Sequence, residues 1–225
     1  NKGATFSANV YAQLEPIKNL RIRTVFGIVY GANEYRNFEP IYQFTSTDTS
    51  HSYTKVAQNK TNSLGMTWTN TASYDWNIGE HAFNALIGME AYRYSGSYLE
   101  GKQGHLKEGF DDWYHAWVSN GTGASTADGL NAAGYPHDES RSVSYFGRLG
   151  WNWKEKYMIN ATFRADGSSK FARGHRFGYF PSVSAGWNIS NEEFMESTAS
   201  WLDFLKIRAS WGQVGNQNIN NYQYL

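Results

Sequence analysis

Hydrophobic and polar residues alternate along most of this chain with a period of two. In the stretch FGYFPSVSAGWNIS, odd-numbered positions from Tyr179 to Ile189 are apolar, and even-numbered positions from Ser182 to Ser190 are small and polar. Successive side chains of a β-strand point to opposite faces, so the stretch predicts a strand with one apolar and one polar face. Seven further runs show the same pattern, at residues 6–14, 20–30, 64–76, 83–91, 143–153, 157–165 and 205–211. Each run lasts about ten residues, the length that a tilted strand needs to cross a membrane.

The connections between these runs alternate between short and long. Residues 16–19, 77–81 and 154–156 read as tight turns, whereas residues 31–61, 95–141 and 167–178 are long, polar and rich in Gly, Ser, Thr and Asn. Outer-membrane barrels have this organisation, with short periplasmic turns and long extracellular loops. We therefore expect the 95–141 connection to form part of an outer vestibule.

Aromatic residues distinguish a membrane barrel from a soluble β-sandwich. On the apolar faces, one group of rings falls near the short turns and another toward the long loops. The first group is Tyr74, Trp76, Trp151, Trp153, Tyr157 and Trp187, and the second is Tyr30, Tyr145, Tyr179 and Trp211. Trp and Tyr concentrate at both membrane interfaces, and a sandwich core would not sort them by depth. The two bands favour an apolar face that contacts lipid.

Composition excludes several classes of protein. The formal net charge is zero, so nothing indicates a general attraction to nucleic acid. Cysteine is absent, which excludes disulfides and thiolate metal sites. No stretch approaches the roughly 20 apolar residues of a membrane-spanning helix.

Two long segments carry a resemblance to a known family. They are SYFGRLGWNWKEKYMINATFRADGSSKFARGHRFGYFPSVSAGWNISNEEFM at 144–195 and LKIRASWGQVGNQNI at 205–219, with DGLNAAG at 128–134 in the loop before them. These segments resemble the barrel of SusC/RagA-type TonB-dependent outer-membrane transporters. The resemblance implies an all-β fold, in which this chain supplies about eight antiparallel transmembrane strands of a barrel of about 22 strands.

The resemblance also implies the domain organisation and the partners. We expect residues 1–225 to be part of one barrel domain, with the plug and the C-terminal strands outside this chain. Expected partners are outer-membrane lipid, an oligosaccharide or peptide substrate, a SusD-like surface lipoprotein, and the TonB complex acting through the plug region. The implied function is TonB-dependent import of nutrient oligomers across the outer membrane.

Two alternatives remain at this stage. In the first, the strands close into a small autonomous outer-membrane barrel or barrel enzyme; in the second, they form a secreted carbohydrate-binding sandwich. A narrow closed barrel would enclose a cationic polar face that includes Arg21, Arg148 and Arg164, and buried charges need partners. We therefore predict a sheet that pairs strands adjacent in sequence and has the first and last strands as its edges.

No catalytic, cofactor or metal site is predicted. His105, Glu108, Asp111, Asp112 and His115 lie in one loop, but their spacing matches no metal-binding motif. Ser182 and Ser184 occur in PSVSAG, which lacks the first glycine of a nucleophile elbow.

The candidate contact residues are aromatic and cationic side chains of the long connections. Aromatic rings in a loop can stack on sugars or peptide side chains, and cations can bind anionic groups. The candidates for substrate or partner contact are Trp113, Tyr114, Trp117, Tyr135, Arg173 and Arg176.

Overall fold

The chain forms a single antiparallel sheet of eight strands. The computed structural model describes residues 1–47, 52–110, 112–198 and 200–216. Asp111 and residues 217–219 of the resembling segment lie outside the described residues. The strands are β1 (Lys2–Ile17), β2 (Leu20–Glu39), β3 (Lys55–Ile78), β4 (His81–Gly104), β5 (Asn131–Trp153), β6 (Tyr157–Ser168), β7 (Phe177–Asn188) and β8 (Lys206–Gly212).

Every strand is hydrogen-bonded to its neighbours in sequence, in the order β1 to β8. This order places β1 and β8 at opposite ends of the sheet, as predicted. The remaining regular structure consists of short 3-10 turns at Val118–Asn120, Ile189–Asn191 and Glu193–Thr198. Among the described residues, no helix has the length and apolarity needed to cross a membrane.

The contacts divide the chain into two compact units. The first unit contains Asn1–Ala8, Ile28–Gly65 and Tyr94–Glu139, and the second contains Asn9–Gly27, Met66–Arg93 and Ser140–Leu225. Each is described separately below.

The predicted length of about ten residues is wrong for the middle strands. Strands β2 to β5 have 20, 24, 24 and 23 residues. The reason is visible at the start of β3, where Gln58, Asn59, Lys60, Thr61 and Asn62 follow one another. Both faces of the strand are polar there, so hydrophobic alternation cannot reveal it, although the backbone still pairs. The long connections are correspondingly shorter than predicted, at residues 40–54, 105–130 and 169–176.

The register of the second unit gathers like side chains into rows. Trp151 pairs with Ile159, which pairs with Ala185, which in turn pairs with Ala209. One residue away, the row of Gly150, Asn160, Ser184 and Ser210 runs across the same four strands. Adjacent rows point to opposite faces of the sheet. The predicted apolar and polar faces are therefore continuous across β5 to β8.

The apolar face of the sheet is uncovered. Tyr179 is 62% exposed and Trp211 59%, while the buried apolar residues among those described are only Val56, Ala116 and Ile189. A sandwich would cover such a face with a second sheet, and the described strands form one sheet. An uncovered apolar face of this size fits a sheet whose solvent on that side is lipid.

An aromatic belt runs along the turn end of the apolar face in the second unit. Neighbouring rings stack, with centroid separations from 5.2 Å for Trp76 and Phe83 to 6.3 Å for Tyr157 and Trp187. The belt consists of Tyr74, Trp76, His81, Phe83, Trp151, Trp153, Tyr157 and Trp187. His81, which the sequence analysis had not placed in this band, accepts a hydrogen bond at Nδ1 from Trp151 Nε1 at 3.0 Å. The structure thus joins the predicted turn-end aromatics into one row.

Glu192 anchors the end of this belt. Its carboxylate accepts hydrogen bonds from Trp187 Nε1 at 2.9 Å and from Lys156 Nζ at 3.2 Å. Hydrogen bonds from Tyr157, Trp187 and Lys156 lower the pKa of the Glu192 carboxyl, and the bond from Tyr157 has the largest effect. Both side chains of the Lys156–Glu192 ion pair are mostly buried.

A large aromatic side chain on the polar face is accommodated by a glycine. Phe146 of β5 lies over Gly88 of the neighbouring strand β4, and a Cβ atom at Gly88 would stand 2.5 Å from the Phe146 ring. Because Gly88 has no side chain, the ring can lie flat against the sheet. Phe146 in turn supports Arg164, whose guanidinium carbon is 5.5 Å from the ring centroid.

Candidate substrate and partner contact sites

Arg164 of β6 is the centre of a charged cluster on the polar face of the second unit. Its Nε donates hydrogen bonds to both carboxylate oxygens of Asp166, at 2.6 and 2.9 Å. One terminal nitrogen, Nη2, donates to Ser144 Oγ at 2.9 Å and lies 3.8 Å from Glu90 Oε1. These contacts fix the plane of the guanidinium, and among the described residues none of its hydrogen bonds uses the N–H groups of Nη1. Such a held arginine is suited to bind an acceptor group of a ligand.

The Arg164 cluster lines a cavity of about 440 Å³. Charged groups of both signs share its wall with tyrosine, phenylalanine, serine and glycine residues. The lining residues include Glu90, Tyr92, Arg164, Asp166, His175 and Arg176. This volume lies in the range of small-molecule sites, and the mixture of rings and charges suits a polar oligomer.

The predicted cations Arg173 and Arg176 occupy different environments. Arg176 lines the cavity, and its Nε donates to the carbonyl oxygen of Phe171 at 3.3 Å. Arg173 is exposed in the same loop and does not line the cavity. Arg164 was expected on the polar face, but neither Arg164 nor Glu90 was predicted as a site residue. Their contacts join β4, β5 and β6, so spacing along one strand does not reveal them.

In the first unit, Arg36 contacts two of the predicted aromatic residues. Its guanidinium carbon is 4.4 Å from the Trp113 ring centroid and 4.0 Å from that of Trp117. Its Nη1 also donates to the carbonyl oxygen of Ala116 at 3.3 Å. Ala116 is completely buried, so the chain between the two tryptophans is packed against the structure. The structure therefore brings Trp113 and Trp117 together around a cation that the sequence analysis missed.

The turn that holds these tryptophans is built on Asp112. Its Oδ1 accepts hydrogen bonds from the backbone N–H groups of Tyr114 and His115, at 2.7 and 2.9 Å. Its Oδ2 lies 2.8 Å from His115 Nδ1. The hydrogen bond with the His115 side chain is the main reason why the pKa of Asp112 is lowered. Asp112 and His115 thus serve the turn. Among the described residues, no group of three or more acidic or histidine side chains is arranged to hold a metal ion.

A cleft of about 680 Å³ lies beside the two tryptophans. Its charged residues are three cations and one carboxylate, and its apolar wall comes from the tryptophans, Leu99 and Val118. The charged residues are Lys2, Glu34, Arg36 and Lys60. Val118 is held by its N–H, which donates to Gln58 Oε1 at 3.0 Å.

This cleft lies on the face of β2 that carries Ile28 and Tyr30. Arg36 is six positions after Tyr30 in one uninterrupted strand, so the two side chains project from the same face. Cross-strand contacts agree, because Tyr30 Oη donates to Asn62 and Lys60 pairs with Glu34 at 3.2 Å. The side chains of Trp113 and Trp117 therefore lie on the face of β2 that carries Ile28 and Tyr30.

Tyr135 and Tyr114 have separate surroundings. Tyr135 is 54% exposed and packs against Tyr98, with ring centroids 5.1 Å apart. Tyr98 precedes Leu99 in β4 and so projects from the opposite face to the Arg36 cleft. Tyr114 is 81% exposed, and its carbonyl oxygen accepts a hydrogen bond from Trp117 Nε1. The six predicted residues thus belong to several sites. Of the six, only Trp113 and Trp117 stack on the same side chain, Arg36.

The chain is similar in sequence to curated bacterial receptors. It is 33% identical over 156 residues to the TonB-dependent receptor SusC of Bacteroides thetaiotaomicron, a match that covers 68% of this chain and 14% of that protein. It is 29% identical over 227 residues to a TonB-dependent receptor of Formosa agariphila, covering all of this chain and 21% of the receptor. The chain therefore spans about a fifth of the length of the curated relatives it matches, or less. No protein-family profile matches it.

Solved structures give the same assignment. The RagAB peptide transporter superposes with a TM-score of 0.78 at 26% identity, over 98% of this chain and 23% of that chain. The RagAB peptide importer in its closed-closed state gives a TM-score of 0.77 at 25% identity, with the same coverage. The strand order, the two faces and these likenesses agree. The chain belongs to the SusC-type TonB-dependent receptors, as a segment of their β-barrel.

Proposed function

We propose that this chain forms part of the wall of an outer-membrane barrel that imports nutrient oligomers, glycan or peptide, in a TonB-dependent manner. The similarity to SusC and to the RagAB peptide importer over most of this chain is the observation that supports the proposal most strongly. In this arrangement the apolar face contacts lipid, and the polar face lines a wet interior. The aromatic belt marks one membrane interface. The protein is thus a multi-strand protein of the cell outer membrane.

The cavity around Arg164 is the proposed substrate contact on the interior side. Arg164 is held by Asp166 and Ser144 and offers its Nη1 edge to a ligand. Arg176 adds a second cation to the same cavity. Charge-assisted hydrogen bonds from both would hold carboxylate or hydroxyl oxygens of a passing oligomer. Tyr135, on the face opposite the Arg36 cleft, is a further proposed substrate contact in the first unit.

The proposed partners are a SusD-like surface lipoprotein and the TonB complex. The likeness to SusC supports the first, and the family's dependence on TonB supports the second. Tyr114 has the largest exposed fraction of the four predicted aromatic residues, so it is the proposed lipoprotein contact. TonB would act through a plug region rather than through these strands.

Uptake by the intact receptor tests the proposal. Cells that depend on the receptor are supplied with labelled glycan or peptide oligomers, with and without TonB. We expect TonB-dependent uptake of one oligomer class. The variant Arg164→Met should reduce uptake more than Arg148→Met, which removes a polar-face cation that does not line the cavity. Uptake that is unaffected by loss of TonB would contradict the proposed function, and equal uptake by the two variants would contradict the proposed substrate contact.

A further inference from the structure

The described residues of the Arg36 cleft carry more positive than negative charge. Lys60 is paired with Glu34, the one carboxylate among the described residues that line the cleft. Among the described residues, no carboxylate forms an ion pair with Arg36. Its guanidinium lies over the rings of Trp113 and Trp117, and cation–π contacts leave the formal charge in place. The cleft therefore offers an oriented cation to an anion from outside the protein.

The stack also determines how Arg36 can bind. Both indole rings lie within 4.4 Å of the guanidinium carbon, so the edge of the guanidinium is the part best placed to meet a ligand. The edge N–H groups form a planar fork that matches the oxygens of a phosphate or carboxylate. Nη1 is oriented by its hydrogen bond to the Ala116 carbonyl oxygen, so little rotational freedom is lost when an anion binds.

The position of the cleft indicates the source of that anion. Arg36 is six residues beyond Tyr30 on the same face of β2, which is about 20 Å along the strand. With a strand tilt near 40°, this is about 15 Å of height above a tyrosine at headgroup level. The cleft thus faces the surrounding membrane in the layer above the headgroups. The sugar portion of a membrane glycolipid occupies this layer, so it can reach the cleft from the membrane side.

The shape and lining of the cleft agree with a phosphorylated sugar. Trp113 and Trp117 each remain 45% exposed although Arg36 covers part of them. Exposed indole surface beside Leu99 and Val118 suits the apolar side of a sugar ring, and Arg36, with Lys2, suits its phosphate. The cleft volume of about 680 Å³ would accommodate a short saccharide. An acidic side chain would fill only a small part of this volume.

We propose that the Arg36 cleft binds the phosphorylated saccharide of an outer-leaflet glycolipid. The site is distinct from the Arg164 cavity, and the proposal rests on the membrane orientation given under the proposed function. Bound glycolipid would fix residues 112–118 against the outer side of the strands. This would couple the loop to the membrane surface rather than to the substrate path.

Binding to the intact receptor in mild detergent tests this site. The ligands are the phosphorylated saccharide released from outer-membrane glycolipid, the same saccharide after phosphatase treatment, and inorganic phosphate. The variants are Arg36→Met, Arg36→Lys and the matched control Lys107→Gln, an exposed cation of the same unit outside the cleft. We expect Arg36→Met to weaken saccharide binding about tenfold, and Arg36→Lys to weaken it less, because the charge remains but the fork is lost. Lys107→Gln should bind as the wild type does.

Several outcomes would overturn the proposal. Binding that is unchanged in Arg36→Met, or equally strong for the phosphatase-treated saccharide, would exclude phosphate recognition by this residue. Competition by inorganic phosphate at the concentration at which the saccharide binds would indicate a general anion site. Loss of lipoprotein association with unchanged saccharide binding would indicate an acidic protein surface as the occupant. Because binding is measured without transport, a failed uptake assay with intact saccharide binding would count against the proposed function alone.

Discussion

The indole Nε1 of Trp187 donates a hydrogen bond of 2.9 Å to Oε1 of Glu192, across the end of β7. Trp187 is the last ring of the aromatic belt, and Glu192 lies in the connection that leads to β8. The bond therefore ties the aromatic belt to the turn that follows β7.

Acidification should weaken this anchor. A carboxyl whose pKa is lowered in the folded state stabilises the fold above its ordinary unfolded-state pKa, and this stabilisation is lost as the pH falls through the lower, folded value. For Glu192 the loss is expected in the acid range, below the usual pKa of glutamate. The urea concentration at the midpoint of unfolding of the intact receptor should decrease as the pH is lowered through this range. In Glu192→Gln this decrease should be smaller. Glu196→Gln, an exposed carboxyl of the same segment, is the control; an equal change in both variants would contradict the anchor.

A side chain at Gly88 should disturb the Arg164 cluster. Replacing Gly88 with Val would displace the Phe146 ring, which lies 2.5 Å from the position of a Cβ atom. Overpacking of this kind costs about 1–3 kcal/mol, and it should also lower uptake because Phe146 supports Arg164. Gly147→Ala is the control, because its Cβ would meet its nearest neighbour at an ordinary 3.6 Å. If Gly88→Val and Gly147→Ala change the urea unfolding midpoint and the uptake equally, the packing of Phe146 on Gly88 is contradicted.

Charge should be tolerated on one face of β7 and rejected on the other. Ala185 lies in the row of Trp151 and Ile159, and Ser184 lies in the row of Gly150 and Asn160. Ala185→Arg should cost about 2–4 kcal/mol if the position is near the membrane centre, and Ser184→Arg much less. The amount of folded, heat-modifiable barrel in the outer membrane measures the difference. Similar losses for both variants would show that the faces are misassigned.

Removing the carboxylate of Asp112 should loosen the tryptophan stack. Asp112→Ala deletes the acceptor of the Tyr114 and His115 amides, so these amides should exchange with solvent severalfold faster. Hydrogen exchange of residues 114–118 in the intact receptor measures this, with Glu108→Ala as a control in the same loop. Unchanged exchange in Asp112→Ala would mean that packing of Ala116, rather than the Asp112 turn, holds the segment.

The fold of the second unit could be predicted well because its chemistry repeats at every strand. From Ile159 to Ala165 and from Pro181 to Trp187, each apolar residue on one face alternates with a small or polar one. The register places these residues opposite one another in the expected rows. The aromatic band was visible for the same reason, since Trp and Tyr recur at one depth.

The upper parts of β2 to β5 and the Arg36 stack could not be predicted in the same way. In QNKTNS of β3 both faces meet water, so burial imposes no pattern. Arg36 and Trp117 are brought together by strand pairing and loop packing across a long stretch of sequence, and nothing near Arg36 indicates its partners. The pairing of Phe146 with Gly88 depends on the β4–β5 register in the same manner.

The most direct test of the central claim is a nitroxide scan along β7 of the intact receptor in lipid bilayers, one label at a time from Tyr179 to Asn188. Collision with oxygen reports exposure to lipid, and collision with a water-soluble nickel chelate reports exposure to water. We predict that the two signals alternate with a period of two, with oxygen dominant at Tyr179, Val183 and Ala185 and nickel dominant at Ser182 and Ser184. Absence of this alternation, or the opposite phase, would contradict a barrel wall with lipid on its apolar face.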